Sequence, residues 1–199
     1  MSSAVEVPAR TSALELRGIR KAFPGVQALD GVDLVMRAGE IHALVGENGA
    51  GKSTLLKIIT GIYRPDEGTV EVEGTTQTFG SPRDALHAGI GIVHQERNLI
   101  PKFSVAENIT LEQPPVKNGQ WIDRERMRQE SERWLELLQV PIDASKPVEH
   151  LSVAQRQLVE IAKALSLRSR ILLLDEPTAS LTPHETAVLF EILQRLRDD

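Results

Sequence analysis

The eight residues from Gly46 to Ser53, "GENGAGKS", constrain this chain more than any other stretch. They match the pattern G-x-x-x-x-G-K-[ST]. Ahead of them Ile41–Val45 is continuously apolar, as expected of a strand buried on both faces. Behind them Lys52 to Thr60 places Leu55, Ile58 and Ile59 on one helical face and stops at Gly61. Strand, glycine-rich loop and helix in that order make a phosphate cradle. The glycines permit conformations that turn successive backbone N–H groups toward a polyphosphate. Lys52 adds a point charge for the β- and γ-phosphates, and the Ser53 hydroxyl can ligate Mg²⁺.

The rest of the chain supplies matching elements. Alternating apolar positions mark strands at Leu14 and Leu16, at Val32, Leu34 and Met36, and at Val70 and Val72. Ile90–Val93 and Ile171–Leu174 are apolar runs of strand length. Residues 123–139 read as a helix with Met127, Trp134 and Leu138 on one side. A last helix opens on the capping box Thr182-Pro183-His184-Glu185, with Leu189, Ile192, Leu193 and Leu196 inward. Strands alternating with helices imply an α/β core with parallel pairing. Between about Glu96 and Leu167 there is little strand character, and that region reads as a mostly helical insertion with loop signals at Pro114-Pro115 and Asn118-Gly119. Residues 1–12 read as a flexible tail.

Composition narrows the function classes. Hydrophobic residues at 41% and charged residues at 26% of 199 are those of an ordinary globular domain. The net charge of −5 gives no overall basic balance for nucleic acid. Arg124, Arg126, Arg128 and Arg133 alternate with Asp123, Glu125, Glu130 and Glu132, as on a solvated helix face. The absence of cysteine excludes disulfides and thiolate metal sites. No apolar run approaches the roughly 18 residues a membrane helix needs, so a membrane role would have to come through a partner.

Three further stretches carry chemistry. "ILLLDE" ends a strand on Asp175 and Glu176, which puts both acids at the carboxyl edge of the sheet, where open α/β folds bind ligands. Asp175 can hold a hydrated magnesium and Glu176 can accept a proton from an attacking water. Gln95 in "VHQE" stands where the strand Ile90–Val93 leaves the sheet, within reach of metal or water; an ordinary loop glutamine reads the same way. In "HLSVAQRQ", Ser152 and Gln155 form a capping box at the start of a helix whose apolar face is Leu158, Ile161, Ala162 and Leu165. Such an entry is also a ready anion site, because unpaired N–H groups and the helix dipole point outward there, although most such entries receive only water or their own cap.

Taken together and in order, "GENGAGKST", "VHQE", "LSVAQRQLVEIAKAL" and "ILLLDEPTASLT" resemble the ATP-binding cassette (ABC) ATPases of transporters, most closely the N-terminal cassette of bacterial importers of the ribose, galactose and xylose type. The resemblance covers residues 13–199. It implies an α/β P-loop NTPase core with an antiparallel β subdomain and a helical subdomain at about 97–168. The implied ligands are ATP and Mg²⁺. Gly46, Glu47, Asn48, Gly49, Ala50, Gly51, Lys52, Ser53 and Thr54 become the phosphate loop. Ser53, Gln95 and Asp175 become the metal set, with Gln95 also sensing nucleotide. Glu176 becomes the catalytic base and Ala179–Leu181 fall in the D-loop. Ser152 and Gln155 belong to the signature that meets the γ-phosphate on a second cassette, and Phe23 stands where an aromatic stacks on adenine; a core phenylalanine is the plain alternative.

Two departures qualify the pattern. Val153 and Ala154 replace the two glycines of the usual signature, as in sugar-importer cassettes. The switch histidine and the final strands expected after the last helix are missing, which suggests a truncated chain; His42, His87, His94 and His184 lie in the wrong places to substitute. The expected role is an ATPase that energises import of a sugar or similar solute. It would work with a second cassette, with transmembrane permease subunits on the cytoplasmic face of the membrane, and indirectly with a periplasmic or extracellular solute-binding protein. A soluble ABC ATPase of translation or DNA repair is the alternative, as is a nucleotide-binding module without turnover.

Overall fold

A computed structural model describes residues 12–93, 99–179 and 181–198. The chain divides after Pro82 into two compact units. The expected tail at 1–12 falls almost wholly outside the described residues, and only its last residue, Ser12, is placed, at the start of a strand.

The first unit is built on a four-stranded antiparallel sheet. Strands β1 (Ser12–Phe23) and β2 (Val26–Arg37) form a hairpin that turns at Gly25, where φ is +80°. Strand β3 (Glu67–Val72) pairs with the other edge of β1, and β4 (Thr75–Gln77) pairs with β3. The register explains the core: Leu14 lies opposite Val72, Leu16 opposite Val70, and all four are buried. Alternation of period two therefore sends one face inward. Helix α1 (Lys52–Ile59) adds Leu55, Ile58 and Ile59 to the buried set and ends where Gly61 takes a positive φ.

One expectation fails here. Ile41–Val45 is not a buried strand: residues 40–47 have no regular structure, and Ile41, Leu44 and Val45 are exposed, Val45 by 89%. The physical reason lies in the ladder. Among the described residues no neighbouring strand pairs with this segment. A parallel-type strand is a low-energy state only when both its hydrogen-bonding edges and both its faces are covered.

The second unit begins within α2 (Pro82–His87). Its sheet pairs β5 (Ile90–Val93) with a later strand in parallel, as the sequence implies. Between them come α3 (Val105–Ile109), a small hairpin of β6 (Val116–Lys117) and β7 (Trp121–Ile122), and α4 (Arg124–Leu137). The hairpin turns through Asn118 and Gly119, both at positive φ, so the Asn-Gly signal marks a turn between strands and not only a loop. A single 3-10 turn at Val148–His150 leads to α5 (Val153–Ser166), followed by β8 (Ile171–Leu174) and α6 (Pro183–Asp198). Val105, Ile109, Met127, Val159, Ile161 and Leu189 anchor one continuous apolar core. The charges of α4 pair along its exposed side, Arg126 with Glu130 at 2.7 Å and Arg128 with Glu132 at 2.6 Å. That is the solvated face its sequence suggests.

Candidate functional site

The phosphate loop belongs to the first unit. Gly49 and Gly51 both have φ +87°, a left-handed conformation that a side chain disfavours. At Gly51 a second constraint applies. A Cβ there would lie 2.6 Å from the Ala28 carbonyl oxygen and 2.7 Å from Leu29 Cδ2 of β2. The loop is thus seated directly on the sheet. Gly51 also serves as N-cap of α1 without a side-chain cap, which leaves the first N–H groups of the helix available to an anion.

Lys52 is the loop's cation. Its Nζ donates to the carbonyl oxygens of Gly46 at 2.6 Å and Glu47 at 2.8 Å, so it closes the loop on itself. Phosphate oxygens are stronger acceptors for an ammonium than neutral carbonyls. A triphosphate bound there would exchange these bonds for better ones. Ser53 is exposed one residue on, at the start of α1.

Phe23 ends β1 and is half-buried. It packs against Tyr63 edge-to-face at 5.3 Å between ring centroids, with 64° between the planes. Sequence reasoning missed Tyr63. A "GIYRPDEG" loop gives no periodic signal, and only the aromatic itself marks it.

The acids belong to the second unit. Val93 and Leu174 are register partners at the ends of β5 and β8, and the Asp175 N–H donates to the Val93 carbonyl at 3.1 Å. Asp175 and Glu176 thus leave the sheet at its carboxyl edge, as the sequence implies. Glu176 is exposed and has φ +46°, a strained conformation for a residue with a side chain. Gln95 follows Val93 by two residues and lies outside the described residues.

The signature entry has the predicted capping box. The Gln155 N–H donates to Ser152 Oγ at 3.2 Å, and the Ser152 N–H donates to Gln155 Oε1 at 3.0 Å. The box leaves the Ser152 hydroxyl proton free to donate, since Oγ uses a lone pair for Gln155. Behind it Arg156, unremarked in the sequence, donates to the carbonyls of Val148 at 3.2 Å and Glu149 at 3.0 Å. The approach to Ser152 is therefore held by a guanidinium fork where the usual glycines are absent. The same approach is braced on residues 101–103: Glu149 N–H donates to Pro101 O, and Val148 N–H to Phe103 O. Asn108, fully buried on α3, holds that brace through four bonds to Ile100, Phe103 and Ser104. Sequence reasoning missed α3, whose local signal is a third capping box, Ser104 to Glu107.

Among the described residues no group of three or more His, Asp or Glu side chains is placed to hold a metal ion. A divalent cation here would be held by one or two protein oxygens together with phosphate and water, which is the manner of Mg²⁺ in nucleotide sites. Ser53 in the first unit and Asp175 in the second each offer an oxygen of that kind.

Comparison with known proteins gives the family. The ABC transporter family pattern matches residues 29–179. A ribose/galactose/methyl galactoside import ATP-binding protein of Burkholderia ambifaria is 51% identical over 192 residues, covering 96% of this chain and 37% of its own length. The chain therefore spans little more than a third of that relative. The ADP conformation of MJ1267, an ATP-binding cassette of an ABC transporter, superposes with a TM-score of 0.83 at 30% identity, covering 94% of this chain and 77% of that one. The dimeric structure of MJ0796, a bacterial ABC transporter cassette, gives 0.76 at 28% identity, with 93% and 83% covered. With the family pattern matched along most of its length, the chain belongs to the ABC transporter family.

Proposed function

We propose that this chain binds and hydrolyses ATP to energise import of a sugar or similar small solute. The observation that carries this is the 51% identity along 96% of the chain to a sugar-import ATP-binding protein. The relatives' names point to importers and away from translation or repair. Residues 13–199 act as the ABC ATPase domain, with 97–168 as its helical subdomain.

In this reading Gly46–Thr54 hold the triphosphate, with Lys52 moving from its loop carbonyls to the β- and γ-phosphates. Ser53, Gln95 and Asp175 are the residues that would hold Mg²⁺, which would supply neutralisation of charge on the phosphate oxygens. Phe23 meets the purine. Glu176 accepts a proton from the water that attacks the γ-phosphorus, while the bond to the β–γ bridging oxygen breaks, giving ADP and phosphate. Ser152, with its free hydroxyl proton, and Gln155 serve the nucleotide of a second cassette, as the dimeric arrangement of MJ0796 supports. No helix among the described residues is long and apolar enough to cross a membrane. On the importer reading, the chain acts peripherally, at the cytoplasmic face, on transmembrane permease subunits that receive solute from an external binding protein.

The test is purification of the protein from native membranes by a tag at Ser2, in mild detergent. A polytopic membrane protein in stoichiometric amount is the expected companion. Recovery only from the soluble fraction, with no membrane partner, would overturn the importer reading.

A further inference from the structure

We infer that Tyr63 is a positioning residue for the base end of the nucleotide: it fixes the Phe23 ring and ties it to the helix that carries the phosphate loop. The inference rests on the reading of Phe23 as the aromatic partner of the base. Four observations within the first unit converge on it.

The Phe23 ring has a defined neighbour, Tyr63, at 5.3 Å in an edge-to-face contact, and it remains only half-buried. An edge-to-face pair opposes rotation of either ring, because it aligns a positive ring edge with a negative face. Tyr63 is itself held. Its N–H donates to the Lys57 carbonyl at 2.9 Å, and the Lys57 ammonium lies 5.4 Å from its ring centroid. Lys57 is in the last turn of α1, whose first residue is Lys52. One helix of about 12 Å thus has the phosphate cation at one end and the aromatic support at the other.

The backbone beside Phe23 is pinned to the same turn. Asp66 accepts from the Ala22 N–H at 2.7 Å and from Lys21 Nζ at 2.6 Å, and its own N–H donates to the Arg20 carbonyl at 2.9 Å. Lys21 Nζ in turn stands 5.8 Å from the Phe23 ring centroid. Finally, the phosphate loop is seated at the same place on the sheet. Gly51 abuts Ala28 of β2, and Val26 of β2 pairs with Phe23. Two residues along a strand and one step across it come to roughly 7 Å plus 5 Å. The ring and the loop are mounted at a fixed separation, and Tyr63 is the side chain that closes the frame.

The consequence is specific to nucleotides that have a base. Removing the Tyr63 ring frees the Phe23 ring but leaves the phosphate loop on its sheet. Equilibrium titration with Mg-ATP and with magnesium inorganic tripolyphosphate, on the protein as its host makes it, separates the two. Tyr63→Ala and Phe23→Ala are each expected to weaken ATP about three- to tenfold and to leave tripolyphosphate within about twofold. Tyr63→Phe is expected to keep wild-type affinity for both, since the ring alone makes the contact. If Phe23→Ala weakens ATP and Tyr63→Ala does not, the positioning role is wrong and the reading of Phe23 stands. If Phe23→Ala leaves ATP binding unchanged, both fall. Equal weakening of ATP and tripolyphosphate by Tyr63→Ala would reduce Tyr63 to a structural support and overturn the inference. Should Tyr63→Ala fail to fold, Tyr63→Leu keeps apolar bulk without the aromatic ring, and the same outcomes are read from it.

Discussion

Lys52 spends its charge on two carbonyl oxygens of its own loop, and this sets what its removal should do. Lys52→Ala loses both the loop closure and the phosphate contact, so ATP affinity is expected to fall at least tenfold, read by equilibrium titration. Gly51 is under a harder constraint. Gly51→Ala forces a left-handed residue at about 1–2 kcal/mol and drives a methyl against the Ala28 carbonyl. Both a lower unfolding temperature and lost ATP binding are expected; normal ATP affinity in this variant would mean the loop is not seated as described. The motif made Lys52 and Gly51 legible from sequence, because spacing alone encodes them. Tyr63 and Asp66 were not legible. Their role comes from a turn that folds back on β1, and nothing in a local pattern records that contact.

Helix entries are where the chain advertises its elements best. The boxes at Ser152 and Thr182 were readable, and the structure places both. The box at Ser104 obeys the same rule, but α3 has only five residues and gives no periodic stripe. It also predicts a pH dependence. The Ser104 backbone N–H, and then its hydroxyl, hold the Glu107 carboxyl below its ordinary value of 4.5, and the Thr182 N–H and hydroxyl do the same for Glu185. The unfolded chain therefore takes up these protons first as pH falls. Their stabilisation is full above about pH 5 and is lost as pH drops through the depressed native values. Urea unfolding at several pH values should show a steep acid-side loss that Glu107→Ala makes shallower. An unchanged acid slope would show the box contributes nothing. Within α5, Ser152→Ala should cost about 1 kcal/mol from the lost cap, apart from any effect on turnover.

At the scale of the whole molecule, the two parallel strands β5 and β8 were legible to the residue, since each is a short apolar run bounded by turns. Ile41–Val45 is also a short, mostly apolar run, yet it pairs with no strand among the described residues. Composition reports that a strand wants covering; it does not report whether a neighbour is there to cover it. Residues 1–199 made alone should consequently bind a hydrophobic dye through Ile41, Leu44 and Val45, and Val45→Lys should reduce that binding. Equal dye binding by both would place the exposed surface elsewhere. The proposal that the chain is an ATPase rests finally on Glu176, strained just past the end of β8 beside Asp175. The most direct test is ATP turnover, alongside ATP affinity, for wild type and Glu176→Gln in the protein as its host makes it. The account predicts turnover reduced at least a hundredfold with ATP affinity retained; turnover equal to wild type would contradict it.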